Sequence, residues 1–140
     1  MLEVDVVRIS VIVPIYNVKL YIERCVRSLM EQTLENIEFI FVNDCTPDDS
    51  MDILHYVLEE YPKRREQIKI IEHETNRGIS AVRNTGLKNA TGQYIIYCDS
   101  DDWVEKNMYE KLLVKALETS ADIVGCDFFD DYVAHSTIRK

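Results

Sequence analysis

Three carboxylates stand within four residues in Asp99-Ser100-Asp101-Asp102, directly after the mostly apolar run Tyr94–Cys98 and just before Trp103. So much like charge at the end of a buried strand is costly unless a cation neutralises it. Hard oxygen donors with one residue between them suit Mg²⁺ or Mn²⁺, ions that use few protein carboxylates and complete their shell with phosphate. Two other acidic chemistries fail on spacing. A calcium loop starting at Asp99 places Glu110 at its last position, but Trp103 and Val104 occupy places where an oxygen ligand and a glycine are needed. An aspartate-nucleophile phosphatase of D-x-D-x-[TV] type fails because Trp103 holds the final place.

Other chemistry-bearing residues recur just after apolar runs. Pro14-Ile15-Tyr16-Asn17 follows the first run, and Tyr16 there either packs against a flat base or caps the edge of a sheet. Asp44 follows the second run, where a carboxylate can accept a hydrogen bond from a base N–H. Asp48, Asp49 and Ser50 read as N-cap residues of the helix that follows. Arg83, in Asn76–Asn84, is a permanent cation able to pair with a diphosphate or a base carbonyl, or simply to sit solvated at the surface. No G-x-G-x-x-G and no G-x-x-x-x-G-K-[ST] occurs, so neither a dinucleotide fingerprint nor a P-loop accounts for the site.

The elements that must position these residues alternate strictly. Arg8–Ile15, Ile37–Val42, Ile68–Ile71, Tyr94–Cys98 and Ile123–Cys126 read as strands. Between them lie helical patterns: Val18, Ile22, Cys25, Val26 and Leu29; Ile53 to Tyr61, stopped by Pro62; Ile79 to Ala90, ended by Gly92; and Tyr109 to Leu117. Strands alternating with helices of this length predict an α/β fold, a doubly wound and mostly parallel sheet, with ligands at the carboxyl ends of its strands. In the alternation of a strand leaving such a sheet, Asp99 and Asp101 point to one side and Asp102 to the other, where it would brace the turn or cap a helix beginning near Lys106.

Composition narrows the partners. The 140 residues suit a single domain over 1–140, and 25 acidic against 16 basic side chains give a formal charge of −9. That balance argues against nucleic acid and against an anionic membrane surface as direct partners. No run reaches the ~20 apolar residues of a membrane span, and the N-terminus lacks a signal-peptide pattern, so a cytoplasmic protein is expected. Cys25, Cys45, Cys98 and Cys126 form no close pair and read as four reduced, semi-buried thiols. His55, His73 and His135 are scattered and suggest neither a metal site nor a triad.

Together, SVIVPIYN, FVNDCTPDDS, NRGISAVRNTGL and GQYIIYCDSDDW, in this order and spacing, resemble the nucleotide-sugar half of the family 2 glycosyltransferases, which have the GT-A fold. The resemblance spans about residues 8 to 104. It implies an inverting transferase that moves a sugar from a nucleotide diphosphate donor, often a uridine one, to a saccharide, lipid-linked or protein hydroxyl. By position, Pro14 and Tyr16 would line the base pocket, Asp44 would bind the base and Arg83 would help hold the nucleotide. Asp99 would contact the ribose or the metal, and Asp101 would ligate the metal.

Two departures stand out: Val18 and Lys19 replace an acid common after the first Asn, and Asn43-Asp44-Cys45-Thr46 replaces D-D-G-S, losing its tight glycine turn. The family's acceptor-side half and its general base are expected beyond Lys140, and none of Asp127, Asp130 or Asp131 is assigned as that base. A homo-oligomer, and a place at the inner face of a membrane for a longer protein, are compatible with this reading. The competing functions are a non-catalytic nucleotide-sugar-binding module and a nucleotidyltransferase; PIYN, where a basic Gly-rich loop belongs, speaks against the second.

Overall fold

The structure, a computed structural model, describes residues 6–131 and 136–139; His135 lies outside them. Four parallel strands form the expected sheet: β1 (Ile9–Ile15), β2 (Ile37–Asn43), β3 (Ile68–Glu72) and β4 (Tyr94–Tyr97), in the order β3-β2-β1-β4. The helices are α1 (Ile22–Met30), α2 (Ser50–Glu59), α3 (Ile79–Asn89) and α4 (Met108–Thr119). From β1 through β3 the chain steps in one direction across the sheet, and then it returns past β1 to β4. Right-handed crossovers therefore put α1 and α2 on one face and α3 on the other.

The core reflects this winding. On one face Val11, Val13, Ile15, Phe39 and Phe41 pack with Ile22, Cys25 and Leu29 of α1, Leu54 of α2 and Leu113 of α4. On the other, Ile12, Ile40 and Val42 meet Val82 of α3. Every residue of β1 is buried, as a strand covered on both faces must be. Helix α3 lies so close that a Cβ on Gly86 would fall 2.3 Å from Ile12 Cγ2.

Pro14 sits in central β1, an unusual place for a residue without an N–H. The β1–β4 pairing ends at Ile12↔Tyr97, with the Cys98 amide donating to the Ile12 carbonyl at 3.0 Å. Residue 14 is the next position facing β4, so its missing donor falls where β4 has already turned away. Pairing with β2 continues on the other side to Ile15↔Asn43. Proline thus stands just past the last bridge to β4 and ends the ladder on that edge of β1.

Three features differ from the sequence reading. Ile123–Cys126 is not a strand: Ile123 is 90% exposed, and a cavity of about 150 Å³ lined by Ile95, Leu112 and Val124 adjoins the edge of β4. The apolar run lies beside β4 without joining its ladder. The following residues instead form a separate antiparallel hairpin, β5 (Phe128–Asp131) with β6 (Ser136–Arg139). Pro62 does not merely stop α2; it opens a short 3₁₀ helix, Pro62–Gln67. From it, buried Arg64 donates to the carbonyls of Met30, Gln32 and Leu34, satisfying the last residue of α1 and the connection that follows it.

Glu38, at the amino-terminal end of β2, is buried. It accepts from Ser10 Oγ at 2.6 Å, from the Thr91 amide and hydroxyl at 2.6 and 2.9 Å, and pairs with Lys69 Nζ at 3.0 Å. Burial alone would raise its pKa, but the bonds from Ser10, Thr91 and Lys69 outweigh it and bring the carboxyl from 4.5 down to about 2. A depressed carboxyl contributes stability above its unfolded pKa and loses it as pH falls toward the folded value. The stability gap between wild type and Glu38→Gln is therefore expected to reach about 3 kcal/mol at neutral pH. It should close between about pH 4.5 and 2, as read by urea unfolding across that range.

Candidate functional site: the carboxyl edge of the sheet

In a sheet of order β3-β2-β1-β4 the winding reverses between β1 and β4, and that crevice is where α/β sheets bind ligands. All four strand-to-helix loops open on this edge, and they hold one another through side chains. After β1, the amides of Asn17, Val18 and Lys19 donate to Thr46 Oγ1 (2.9 Å), Ser50 Oγ (3.1 Å) and Asp48 Oδ2 (3.1 Å) of the loop after β2. Asp48 also accepts from the Thr46 hydroxyl and from the amide and hydroxyl of Ser50. Burial opposes its ionisation, yet these donors hold it at about 2. The predicted N-cap role is thus met only in part. Asp49, at the N-cap position, makes no side-chain cap bond, whereas Asp48 takes the first helical amide and mainly braces the loop carrying Tyr16.

Asp44 is the second pin. It is buried; its Oδ1 accepts from His73 Nδ1 and the Arg77 amide, each at 2.8 Å, and Oδ2 accepts from the Gly78 amide at 2.9 Å. Burial would push this carboxyl up, but the bonds from His73, Arg77 and Gly78 win and hold it below the usual range. Three of its roughly four acceptor directions are taken, leaving one on Oδ2. The histidines are therefore not all idle. The register Asn43↔Glu72, carried one residue further, sets Asp44 beside His73, so strand adjacency held a signal that residue spacing did not.

Cys45 replaces the glycine of the expected turn yet keeps a glycine-like backbone: its φ is +58°, the left-handed conformation that glycine ordinarily supplies. Of the four thiols, Cys45 and Cys126 are exposed while Cys25 and Cys98 are buried. The buried pair lies under the acidic turn, with their sulfurs 3.8 and 3.7 Å from the Asp99 carbonyl oxygen.

The acidic turn brings Asp99, Asp101 and Asp102 together, with one carboxylate oxygen from each within 4.8 Å of the others. Asp102 therefore does not point away from its neighbours. Helix α4 begins at Met108 with Asn107 at its N-cap position, so Asp102 caps nothing; its backbone amide closes the turn onto the Asp99 carbonyl at 3.0 Å. Partial burial, then the charges of Asp101 and Asp99, raise the Asp102 pKa. Across the crevice, Arg83 donates to Asp99 Oδ1 at 3.2 Å and stacks 5.5 Å from the Tyr97 ring centroid, while its Nε is enclosed without an acceptor. Both partners of that pair are about half exposed, so it neutralises the cluster only weakly. An exposed, oxygen-only donor set with surplus negative charge fits a hard divalent cation.

The other predicted residues are placed unevenly. Tyr16 is 45% exposed at the tip of β1, available to a ligand. Pro14 is enclosed within β1 and offers no surface to a ligand. A groove of about 650 Å³ lies to one side between α1 and residues 103–106, where Arg24 stacks 4.3 Å from the Trp103 ring centroid.

A doubly wound parallel sheet with a carboxylate cluster at its switch point has the architecture of the GT-A nucleotide-sugar-binding domains. Residues 10–139 match the family described as "Glycosyl transferase family 2", and the chain belongs to that family. It is 48% identical to the uncharacterized glycosyltransferase EpsJ of Bacillus subtilis over 121 residues, 86% of this chain and 34% of that protein. The S. aureus protein TarS (residues 1–349), solved in complex with UDP, superposes with a TM-score of 0.72 at 32% identity, covering 82% of this chain and 33% of that one. The mannosyltransferase PcManGT from Pyrobaculum calidifontis, solved with GDP-Man and Mn2+, gives 0.70 at 26% identity, covering 83% and 33%. The chain thus spans about a third of the length of these relatives.

The Cys45 turn yields a stability ranking. Cys45→Gly relieves the left-handed strain but adds unfolded-chain freedom, so a net change within about 1 kcal/mol is expected. Cys45→Val puts a β-branched side chain at that φ and should cost about 1–2 kcal/mol. Urea unfolding of the three proteins gives the order directly, and equal stability of Val and Gly at this position would show that the positive φ of residue 45 carries no strain.

Proposed function

We propose that this chain binds the donor of an inverting glycosyltransferase, a nucleotide-diphosphate sugar with uridine as its base, together with Mg²⁺ or Mn²⁺. The observation that carries the reading is the convergence of Asp99, Asp101 and Asp102 at the β1–β4 switch point. Asp101 and Asp102 would hold the cation, with Asp99 shared between it, the ribose and Arg83. When bound, the ion would offset charge developing on the leaving diphosphate. Asp44 would accept the base N–H with its remaining Oδ2 direction, Tyr16 would pack against the base, and Arg83 would turn from Asp99 to the diphosphate. Pro14 would end the β1–β4 ladder at the crevice where the donor enters. The TarS and PcManGT complexes support this assignment, since those proteins hold UDP and GDP-Man at the same fold. The acceptor is a hydroxyl of a saccharide, lipid-linked sugar or protein. No carboxylate of this chain is assigned as the base that deprotonates it.

UDP plus Mn²⁺ is expected to raise the melting temperature more than either alone, by mass action on the native state. A shift with NAD and none with UDP would overturn the assignment. Asp101→Asn should abolish the Mn²⁺-dependent part. Asp102→Asn should weaken it too, while raising stability without metal, because the raised Asp102 carboxyl shows that its ionised form is unfavourable in the fold. Full Mn²⁺ dependence in Asp102→Asn, read by calorimetric titration with UDP, would exclude that residue from the ion.

A further inference from the structure

His73 is buried, with a polar partner on each ring nitrogen: Asp44 Oδ1 at 2.8 Å from Nδ1 and Thr85 Oγ1 at 2.8 Å from Nε2. An ionised carboxylate only accepts, so Nδ1 carries the proton toward Asp44. Nε2 then accepts from the Thr85 hydroxyl in the neutral ring or donates to it in the charged one. A hydroxyl serves both cases, so the donor toward Asp44 persists whichever charge the ring carries. Thr85 sits on α3 and Asp44 follows β2, so the bridge joins a helix to the loop of a neighbouring strand.

The Arg77 and Gly78 amides complete the donor set on Asp44. With three donors directed at it, the carboxylate is kept as an acceptor. A protonated carboxyl would instead be a donor. This difference bears on recognition: the uracil ring presents N3–H, a donor, whereas the cytosine ring presents N3, an acceptor. We propose that His73 is a positioning residue for base recognition: anchored by Thr85, it holds Asp44 as an acceptor-only group and thereby makes the site select a base with a ring N–H, such as uracil, over cytosine. The inference rests on the proposed donor site and adds the residue that sets its base preference.

Calorimetric titration of the chain with UDP, CDP and inorganic pyrophosphate, each with Mn²⁺, tests it. Wild type should prefer UDP to CDP. His73→Leu should lower the UDP:CDP affinity ratio about tenfold or more, the scale of one charge-assisted hydrogen bond. Pyrophosphate, which has no base, should bind it as it binds wild type. His73→Asn, whose amide can replace Nδ1–H, should restore the ratio, a rescue that loss of packing alone would not show. Should His73→Leu not fold, His73→Gln, which withdraws the donor from Asp44 while remaining polar toward Thr85, reads the same ratio. An unchanged UDP:CDP ratio in the folded variant, or an equal loss of UDP and pyrophosphate, would overturn the role of His73 while leaving the donor site intact. Failure of wild type to bind UDP would remove the donor site and this inference with it.

Discussion

The structure depends on β1 being enclosed on every side. Its seven residues are all buried, both faces carry helices, and both edges pair in parallel with β2 and β4. Parallel neighbours cannot be joined by tight hairpins, so each connection must run the length of the sheet and return through a helix. Every strand then ends at the same edge, and every loop entering a helix lies there. The direction of travel reverses on either side of β1, so the loops after β1 and β4 diverge and leave a crevice. Pro14 sharpens that divergence by withholding a donor where the β4 ladder has ended. Chain topology thus delivers the candidate residues to one place before any side-chain chemistry is considered.

Charge is handled differently at the two ends of the sheet. At the amino edge, Glu38 is buried and fully answered by Ser10, Thr91 and Lys69, which ties the α3–β4 connection to β1 and β2. Arg64 is likewise consumed by carbonyls of the last residue of α1 and the connection that follows it. At the carboxyl edge, Asp48 is saturated by donors from adjacent loops and becomes a fastener, and Asp44 is braced by three donors with one acceptor direction left over. Asp99, Asp101 and Asp102 are the contrast: three carboxylates against one half-exposed arginine. A buried charge with all its partners holds a fold together, whereas an incompletely answered cluster has capacity left for a ligand.

The four parallel strands and four helices were legible because their apolar periods are long and unbroken, as in Ile9–Ile15 and Ile37–Asn43. Ile123–Cys126 misled because a short apolar run has the same appearance whether it pairs or merely lies against an edge strand. The acidic turn was legible from spacing alone, but the orientation of Asp102 was not. Strand alternation stops at Tyr97, and a turn closed by the Asp102 amide brings the side chains to one side. His73 was missed for a related reason. Its partners, Asp44 and Thr85, lie 29 and 12 residues away in sequence and meet it only through the β2–β3 register and the packing of α3. The D-D-G-S departure looked like a lost turn because backbone conformation was inferred from residue type, whereas the fold holds Cys45 at positive φ.

An acidic chain with a formal charge of −9 and an anionic donor repel one another, yet that repulsion does not decide the matter. At physiological ionic strength charges farther apart than about 8 Å are largely screened, so the field at the crevice comes from its own residues. There the two ends of the proposed donor meet different surroundings. At the base end, the negative charge of Asp44 is already shared among three donors and would face a neutral ring, so the contact would be a matter of hydrogen-bond direction. At the diphosphate end, three carboxylates and one arginine leave a surplus of like charge, and only a divalent cation reverses its sign locally. The division follows from which strand each acid ends: Asp44 follows β2, beside β3, whose loop supplies its donors, while the acidic turn follows β4, where pairing with β1 has already ceased. On the proposed reading, base selection and diphosphate retention would therefore be separable properties of this sheet edge, the first set by internal hydrogen bonds and the second by a bound ion.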